Sequence, residues 1–217
     1  MTARSSPPRY APAIALPPYA YVPGHGHPHP LNDPRGHSYA ARGRHAPEPL
    51  AADGAGPESG AAADGAAAGL PDAQVLPSDH LARVGDDLRW LHALDLFNEG
   101  LFWEAHEAWE DVWHARGRTT PDARFVQGLI HLAAAAVKIR EGKPAGVARH
   151  VARARELLGA PAMAGGQARD HAAALALDRE SIAAVLDELA AYRPECWHTS
   201  RCDVVQVLVA GLRPGAG

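Results

Sequence analysis

The sequence predicts an all-α fold, a compact helical bundle of about four to five helices that follows an irregular N-terminal region. Large apolar residues recur at three- and four-residue spacing through most of the chain after Asp79, as in amphipathic helices. Glycine and proline divide this part into segments of helix length, with breaks at Gly100, Gly117 and Pro144. At 217 residues the chain is long enough to bury the core of one domain.

Composition divides the chain into four regions. Residues 1–47 form an N-terminal arm rich in proline, histidine and tyrosine. Residues 48–77 form a low-complexity alanine and glycine linker, which lacks the large apolar side chains that offset the entropy of ordering. Residues 78–193 are predicted to be the helical domain, and residues 194–217 are a C-terminal tail.

Five helices are predicted in the helical domain, because each apolar repeat there is bounded by a helix-starting or helix-ending residue. Gly100 ends the first, and Pro121 is well placed in the first turn of the third. The predicted helices span about residues 79–98, 101–115, 121–140, 144–159 and 170–191. In the tail, segment 203–210 is compatible with either a strand or a short helix, since its β-branched residues and its shortness favour different structures.

Charge and hydropathy exclude several classes of protein. The formal net charge of −4 is mild, whereas nucleic-acid-binding domains usually have a clear basic excess. No stretch approaches the roughly 18 apolar residues of a membrane span, and the first residues lack the apolar core of a secretory signal. We therefore expect a cytoplasmic protein that binds neither nucleic acid nor membranes. A homo-oligomer is compatible with the sequence, and Cys196 and Cys202 have no assigned role.

The second predicted helix has the most unusual pattern of polar residues. On a helical wheel its apolar side comprises Phe102, Ala105, Trp109, Val112 and Trp113. Glu104, Glu107 and Asp111 fall on the opposite side, where water is the expected partner. His106 and Glu110, four residues apart, lie at the apolar margin between two tryptophans. A carboxylate at that margin is partly desolvated, so it needs a partner or takes a raised pKa.

The third predicted helix is apolar around most of its circumference and has one polar stripe. The stripe comprises Arg124, Gln127, His131 and Lys138. If it faces the second helix, His106 and Glu110 meet Gln127 and His131 in an interhelical pocket able to hold a cation or a small polar ligand. Two alternatives stay open: the stripe faces solvent, or the cluster only fixes the register of the two helices.

A ligand or metal site of this kind would divide the chemistry among a few side chains, although the sequence leaves open whether the protein is an enzyme. Glu110 or Glu107 would act as an acid, a base or a ligand, together with His106 as a further catalytic candidate. His106 and His131 would serve as metal ligands or proton carriers, and Gln127 would orient the bound molecule. The cofactor expected in the metal version is a divalent transition metal.

Two other functions are compatible with the sequence. In a non-catalytic interaction module, the acidic face of the second helix or the arginines Arg149, Arg153 and Arg155 would contact a protein partner. In a metal-storage or delivery protein, the arm would bind the ion through its histidines. The candidate ligands there are His25, His27, His29 and His37.

The arrangement of the arm histidines depends on backbone conformation. In an extended chain alternate residues share a face, so His25, His27 and His29 would converge on one ion. In polyproline geometry they would point apart, and the neighbouring prolines are compatible with either conformation. The alternative is an arm that packs its tyrosines on the helices or stays disordered.

Three separated blocks of the sequence resemble a known family. They are Phe97-Asn98-x-Gly100-x-Phe102-x-Glu104-Ala105-His106-Glu107-x-x-Glu110-x-x-Trp113, Phe125-x-Gln127-Gly128-Leu129-Ile130-x-Leu132-Ala133-Ala134 and Gly142-x-Pro144-x-Gly146. In this order and spacing they resemble the bacterial, archaeal and plastid family called domain of unknown function 309, over about residues 88–158. The resemblance implies a compact helical fold but no established activity.

The resemblance also bears on the candidate site. The polar positions that match the family are Glu104, His106, Glu110 and Gln127, which implies an inward-facing cluster rather than a solvated stripe. Lys138 departs from the family pattern, so the resemblance does not support it as a site residue.

Overall fold

The computed structural model describes residues 8–39, 88–115, 121–158, 177–193 and 207–215. Within these ranges the chain forms α-helices and no named strand, which confirms the predicted all-α fold. The helices are α1 (Leu88–Asn98), α2 (Phe102–Ala115), α3 (Pro121–Arg140), α4 (Pro144–Leu158) and α5 (Arg179–Ala191). Among the described helices, none has the length and apolarity that a membrane crossing requires.

A tight glycine turn joins α1 to α2. Gly100 has a φ of 86°, in the left-handed region that favours glycine. Its N–H donates to the Phe97 carbonyl at 3.1 Å, and the N–H of Leu101 donates to the Leu96 carbonyl at 2.8 Å. This bond pair is the Schellman motif, and it satisfies carbonyls that the end of α1 leaves without helical partners. The turn places α2 beside α1, where the two helices pack together.

Helix α3 lies at the centre of the bundle and packs against α2, α4 and α5. Its buried face is built largely from small and branched residues: Ala123, Val126, Leu129, Leu132, Ala133, Ala136 and Ile139 are fully buried. Gly128 lets α4 approach closely, because a Cβ there would lie 2.5 Å from Cγ of Leu158. Helices α2 and α4 both pack on α3, and polar side chains of all three helices lie in the space between them.

Buried side chains of the helices hold the described part of the arm in place. Asp95 of α1 accepts hydrogen bonds from the backbone N–H groups of Tyr10 at 2.7 Å and Ala11 at 2.8 Å. Its carboxylate also lies 3.5 Å from Nε of Arg9. Asp95 is 1 % exposed, so these bonds form away from water, where an unpaired carboxylate would be costly. The described arm is thus part of the folded unit.

The C-terminal tail is held in the same way. The Asn98 side chain donates to the Leu212 carbonyl and accepts from the Leu212 N–H, both at 2.8 Å. On α5, Glu188 accepts from the N–H groups of Val209 and Ala210 at 2.6 and 2.7 Å. Side chains of α1 and α5 therefore satisfy the tail's backbone polar groups, which neighbouring strands would satisfy in a sheet.

Some sequence predictions about the elements need correction. Leu88, which continues the apolar repeat of the first helix, is 54 % exposed. Helix α5 begins at Arg179 rather than near residue 170, because Leu177 forms an isolated bridge with Pro214 and Asp178 caps the helix. The described part of the tail, 207–215, contains no helix and no strand beyond that bridge.

Several predictions lie outside the described residues. They concern the linker 48–77, the start of the first predicted helix at 79–87, Cys196 and Cys202. The domain boundaries stay predictions.

Candidate ligand-binding site

A cavity of about 210 Å³ lies between α2, α3 and α4. Its lining residues are His106, Glu110 and Trp113 of α2, Gln127, Ile130, His131 and Ala134 of α3, and His150 of α4. The structure therefore brings together the four residues that the helical wheels placed in an interhelical pocket. The stripe of α3 faces this cavity at Gln127 and His131, while Arg124 at its start is exposed.

The α2 wall presents a histidine and a carboxyl group one turn apart. Nε2 of His106 lies 3.8 Å from Oε1 of Glu110, and the two side chains are 17 % and 39 % exposed. Nδ1 of His106 is buried without a hydrogen-bond partner in the described chain. Burial lowers the pKa of His106 to about 4, and nearby His131 and Lys138 add to the effect. Burial also raises the pKa of Glu110, as does the neighbouring Asp111.

Two more imidazoles meet across α3 and α4. Nδ1 of His131 lies 2.9 Å from Nδ1 of His150, so one ring must donate and the other accept. Burial is the largest cause that lowers the pKa of each, to about 4 for His150. Both rings are therefore neutral near neutral pH. Among the described residues, neither Nε2 atom has a hydrogen-bond partner.

The rest of the cavity combines one amide with apolar surface. The side-chain amide of Gln127 makes no hydrogen bond within the described ranges, which leaves two donors and an acceptor for a bound molecule. Ile130, Ala134 and the Trp113 ring supply apolar lining. Convergent polar groups on an otherwise apolar lining are typical of small-molecule sites.

Sequence reasoning did not include His150 in this site. The signal was available, since His150 directly precedes the buried core residue Val151 and follows the buried Val147 by three. It therefore stands at the margin of the apolar face of α4, as His106 does on α2. A wheel of α4 would have found it.

The wheel of α2 predicted that Glu104 lies in water, and this is wrong. It is 5 % exposed, and its Oε1 accepts a hydrogen bond from the backbone N–H of Tyr21 at 2.9 Å. The same oxygen lies 3.2 Å from Nε2 of His37, while Oε2 is buried without a partner in the described chain. The arm provides these contacts, so the wheel of one helix cannot predict them. Glu104 faces inward, but toward the arm rather than the cavity.

Glu107 was also assigned to the solvated side, and this too is wrong. It is half-buried, and the indole N–H of Trp103 donates to its carboxyl group at 2.8 Å. Burial raises its pKa to about 8 against the opposing effect of that hydrogen bond, and Glu104 and Glu110 raise it further. Glu107 does not line the cavity. Asp111 is exposed, as predicted.

Lys138 also lies outside the cavity lining, although it belongs to the polar stripe of α3. Its Nζ lies 2.6 Å from Oε2 of Glu141, so its charge is paired one turn along the chain.

The arm histidines do not converge on a common point. His27 stacks on the Tyr19 ring at 4.4 Å, and His29 packs against Tyr21 at 4.8 Å, while His37 pairs with Glu104. The alternation of an extended chain is interrupted at Gly26, whose φ is 90°. In the described ranges, no group of three or more His, Cys, Asp or Glu side chains is placed to hold a metal ion.

Fold and cavity together define an all-α domain with a cavity of polar and apolar lining between three of its helices. The family model described as "Domain of unknown function (DUF309)" matches residues 90–150, from α1 into α4. This match confirms the family resemblance over the segment that contributes every lining residue of the cavity. No curated protein and no solved structure matches the chain.

Proposed function

We propose that the helical domain binds a small polar ligand in the cavity between α2, α3 and α4. The supporting observation is that three helices direct polar residues to one partly open space, where the Gln127 amide has no partner in the described chain. Nδ1 of His106, another lining residue, is buried without a partner in the described chain, and leaving a buried group unpaired costs about 1–3 kcal/mol. A ligand that paired this atom would recover that free energy. The resemblance to a family without an established activity leaves the ligand to be found.

The size and charge state of the site limit what it binds. At about 210 Å³ the cavity is smaller than the roughly 300–1,000 Å³ typical of drug-sized ligands, so we expect a small metabolite. Neutral imidazoles each offer one donor and one acceptor, and the raised pKa of Glu110 suits proton exchange with a bound molecule. If the domain catalyses a reaction, Glu110 is its acid or base and His106 is the neighbour that positions it. Glu107 lies outside the cavity, so the proposal assigns it no role there.

A divalent transition metal is the second candidate occupant. Imidazole nitrogens are donors that suit zinc, nickel and copper, and His131 and His150 already stand side by side. A third ligand, His106 or Glu110, would have to move toward them, since no three potential ligands in the described ranges are now grouped for a metal. Metal binding therefore requires rearrangement of the cavity, whereas binding of a small polar ligand does not.

The test is thermal unfolding in the presence of small molecules. Native protein is screened with amino acids, sugars, nucleobases, small carboxylic acids and the chlorides of zinc and nickel. A ligand at a hundred times its Kd stabilises the folded state by about 2.7 kcal/mol, which raises Tm by several degrees. Ala134→Leu places three more carbons at the cavity wall and should abolish the shift. The control is Ala184→Leu, an exposed position of α5 far from the lining in sequence.

Each outcome decides between the candidates. A shift with an organic compound, lost only in Ala134→Leu, supports the proposal, and a shift with zinc or nickel alone supports the metal version. An equal shift in both leucine variants places the ligand elsewhere. If nothing shifts Tm, the cluster fixes helix register and the interaction module becomes the better account.

A further inference from the structure

The helices on either side of the cavity differ in their charged residues. Helix α2 contains four acidic residues and no lysine or arginine: Glu104, Glu107, Glu110 and Asp111. Helix α4 contains three arginines and one acid: Arg149, Arg153, Arg155 and Glu156. Both helices contribute to the cavity lining. Of the α2 acids only Glu110 lies in that lining, since Glu104 faces the arm and burial raises the pKa of Glu107 to about 8.

The charges nearest the cavity follow the same division. Glu110 lines the α2 wall. On the α4 side, Arg153 follows the lining residue His150 by three residues, and Arg149 precedes Arg153 by four, so the members of each pair are neighbours on the helix surface. Neither arginine is itself among the lining residues. Arg149 is exposed and has no ion-pair partner among the described residues, while Arg153 pairs with Glu156. Both arginines lie near enough to His131 to lower its pKa, after burial itself.

The floor of the cavity does not cancel this difference. Helix α3 contributes Gln127, Ile130, His131 and Ala134, and none of them is charged near neutral pH, because burial lowers the pKa of His131. The field across a partly buried space is screened less than at an open surface. A ligand with one charge would meet a favourable wall and an unfavourable one. A ligand with a positive and a negative end would match both.

We propose that the cavity takes a small linear zwitterion, with its amine at Glu110 in the lining and its carboxylate on the α4 side, toward Arg149 and Arg153 next to the cavity. This inference rests on the proposed function and names the class of ligand. The apolar lining by Trp113 and Ile130 then contacts the methylene groups between the charged ends. Gln127 completes the site by donating to the carboxylate or accepting from the amine.

Four probes of equal chain length test the inference on the full chain: γ-aminobutyrate, butyrate, butylamine and butyramide. Their affinities are measured by titration calorimetry at low and high salt. We expect γ-aminobutyrate to bind at least about tenfold more tightly than butyramide, with butyrate and butylamine between them. High salt should reduce this preference, because it screens the charges of the walls.

Charge variants identify the wall that holds each end. Replacing Arg149→Gln and Arg153→Gln together should weaken γ-aminobutyrate and butyrate several-fold and leave butylamine unchanged. Glu110→Gln should instead weaken the binding of butylamine and leave that of butyrate unchanged. Arg155→Gln is the matched control, since Arg155 belongs to the same helix but pairs with Asp187 of α5 at 2.8 Å. It should change none of the affinities.

The outcomes separate this inference from the proposed function. If all four probes bind equally and Ala134→Leu blocks them, the cavity is a ligand site but the charged walls do not select the ligand. If no probe binds, the zwitterion is ruled out, and the thermal screen decides the proposed function separately. If the probes bind Ala134→Leu as well as the native protein, both conclusions are overturned.

Discussion

Among single residues, the buried carboxyl group of Glu107 gives the clearest prediction about how stability depends on pH. Its pKa is raised by burial from 4.5 to about 8, so in this range the folded protein keeps a proton that the unfolded chain releases. The free energy of unfolding therefore falls as pH rises through this window. Glu107→Gln keeps an oxygen for the Trp103 indole and has no proton to lose. At about pH 9 it should be more stable than native protein by at least about 1.4 kcal/mol, the equivalent of one pKa unit.

Urea unfolding at a series of pH values measures this difference. The control is Asp111→Asn, since Asp111 is an exposed carboxyl group of the same helix. A gain of the same size in Asp111→Asn, or no gain in Glu107→Gln, would contradict the environment described for Glu107.

The buried imidazole of His150 gives a second prediction, about how stability changes at acid pH. Its folded pKa of about 4 lies below the ordinary 6.5, because of burial and the neighbouring His131. The folded protein binds fewer protons than the unfolded chain in this window, so stability is complete above 6.5 and is lost as pH falls toward 4. His150→Gln removes this contribution, and its free energy of unfolding should fall less between about pH 7 and about pH 5 than that of native protein.

Exposed His114, replaced by Gln, is the control for this measurement. The imidazole resonances of native protein supply an independent reading. If the His150 resonance titrates near 6.5, the buried environment of the α4 wall is wrong.

Residue placement could be predicted where it depends on one helix, and not where it depends on a distant segment. His106, Glu110, Gln127 and His131 line one cavity because each sits at the margin of its own helix's apolar face. Glu104 was misplaced because Tyr21 and His37, its partners, are 83 and 67 residues away in sequence. No local pattern encodes such a contact.

At the scale of elements, the close packing of α3 on α4 predicts a costly substitution. A Cβ at Gly128 would lie 2.5 Å from Leu158 Cγ and 3.3 Å from Leu157 Cβ, so Gly128→Ala must displace the Leu158 side chain or the end of α4. We expect a loss of about 1–3 kcal/mol in the free energy of unfolding, typical of overpacked cores.

Gly146→Ala is the matched control for this interface. Its added Cβ would meet the Lys138 side chain at 2.9 Å, and that long side chain has several torsions with which to move. Alanine also has a higher helix propensity than glycine by about 1 kcal/mol at both positions, which offsets the milder contact at Gly146 but only part of the closer contact at Gly128. Denaturant unfolding of both variants should therefore rank Gly128→Ala well below Gly146→Ala. The reverse order would contradict the packing of these helices.

The ends of helices could be predicted where a glycine or proline marks them. The prediction failed where a contact with a distant segment sets the end of the helix. Gly100 and Pro144 mark the boundaries that the sequence indicated, since each conformation is imposed by the residue itself. The start of α5 was placed too early because Leu177 pairs with Pro214 and Asp178 bonds to Arg213, both in the tail. The helix propensity of the residues before Arg179 does not reveal these contacts with the tail.

For the whole molecule, Asp95 joins the arm to the helical bundle. Its carboxylate is the acceptor for two backbone N–H groups, of Tyr10 and Ala11, and lies beside Arg9. Asp95→Ala leaves these groups without an acceptor, and we expect a loss of roughly 2–4 kcal/mol, at about 1–3 kcal/mol for each group that stays buried. Limited proteolysis should then cut the arm faster than in native protein.

The control is Asp187→Ala, which removes an exposed ion pair with Arg155. An exposed pair contributes about 0–1 kcal/mol, so this variant should resemble native protein in both assays. Equal losses in the two variants would contradict the role of Asp95 in holding the arm.

The central claim is that the cavity between α2, α3 and α4 is where this molecule binds its ligand. Solvent mapping tests it most directly: crystals are soaked in turn with acetamide, acetate and ethanolamine, and the bound probes are located by diffraction. We predict that the probes gather in the cavity, in contact with Glu110 and Gln127. Probes that gather instead in the apolar groove between α4 and α5, lined by Val151, Leu189 and Tyr192, would contradict the claim.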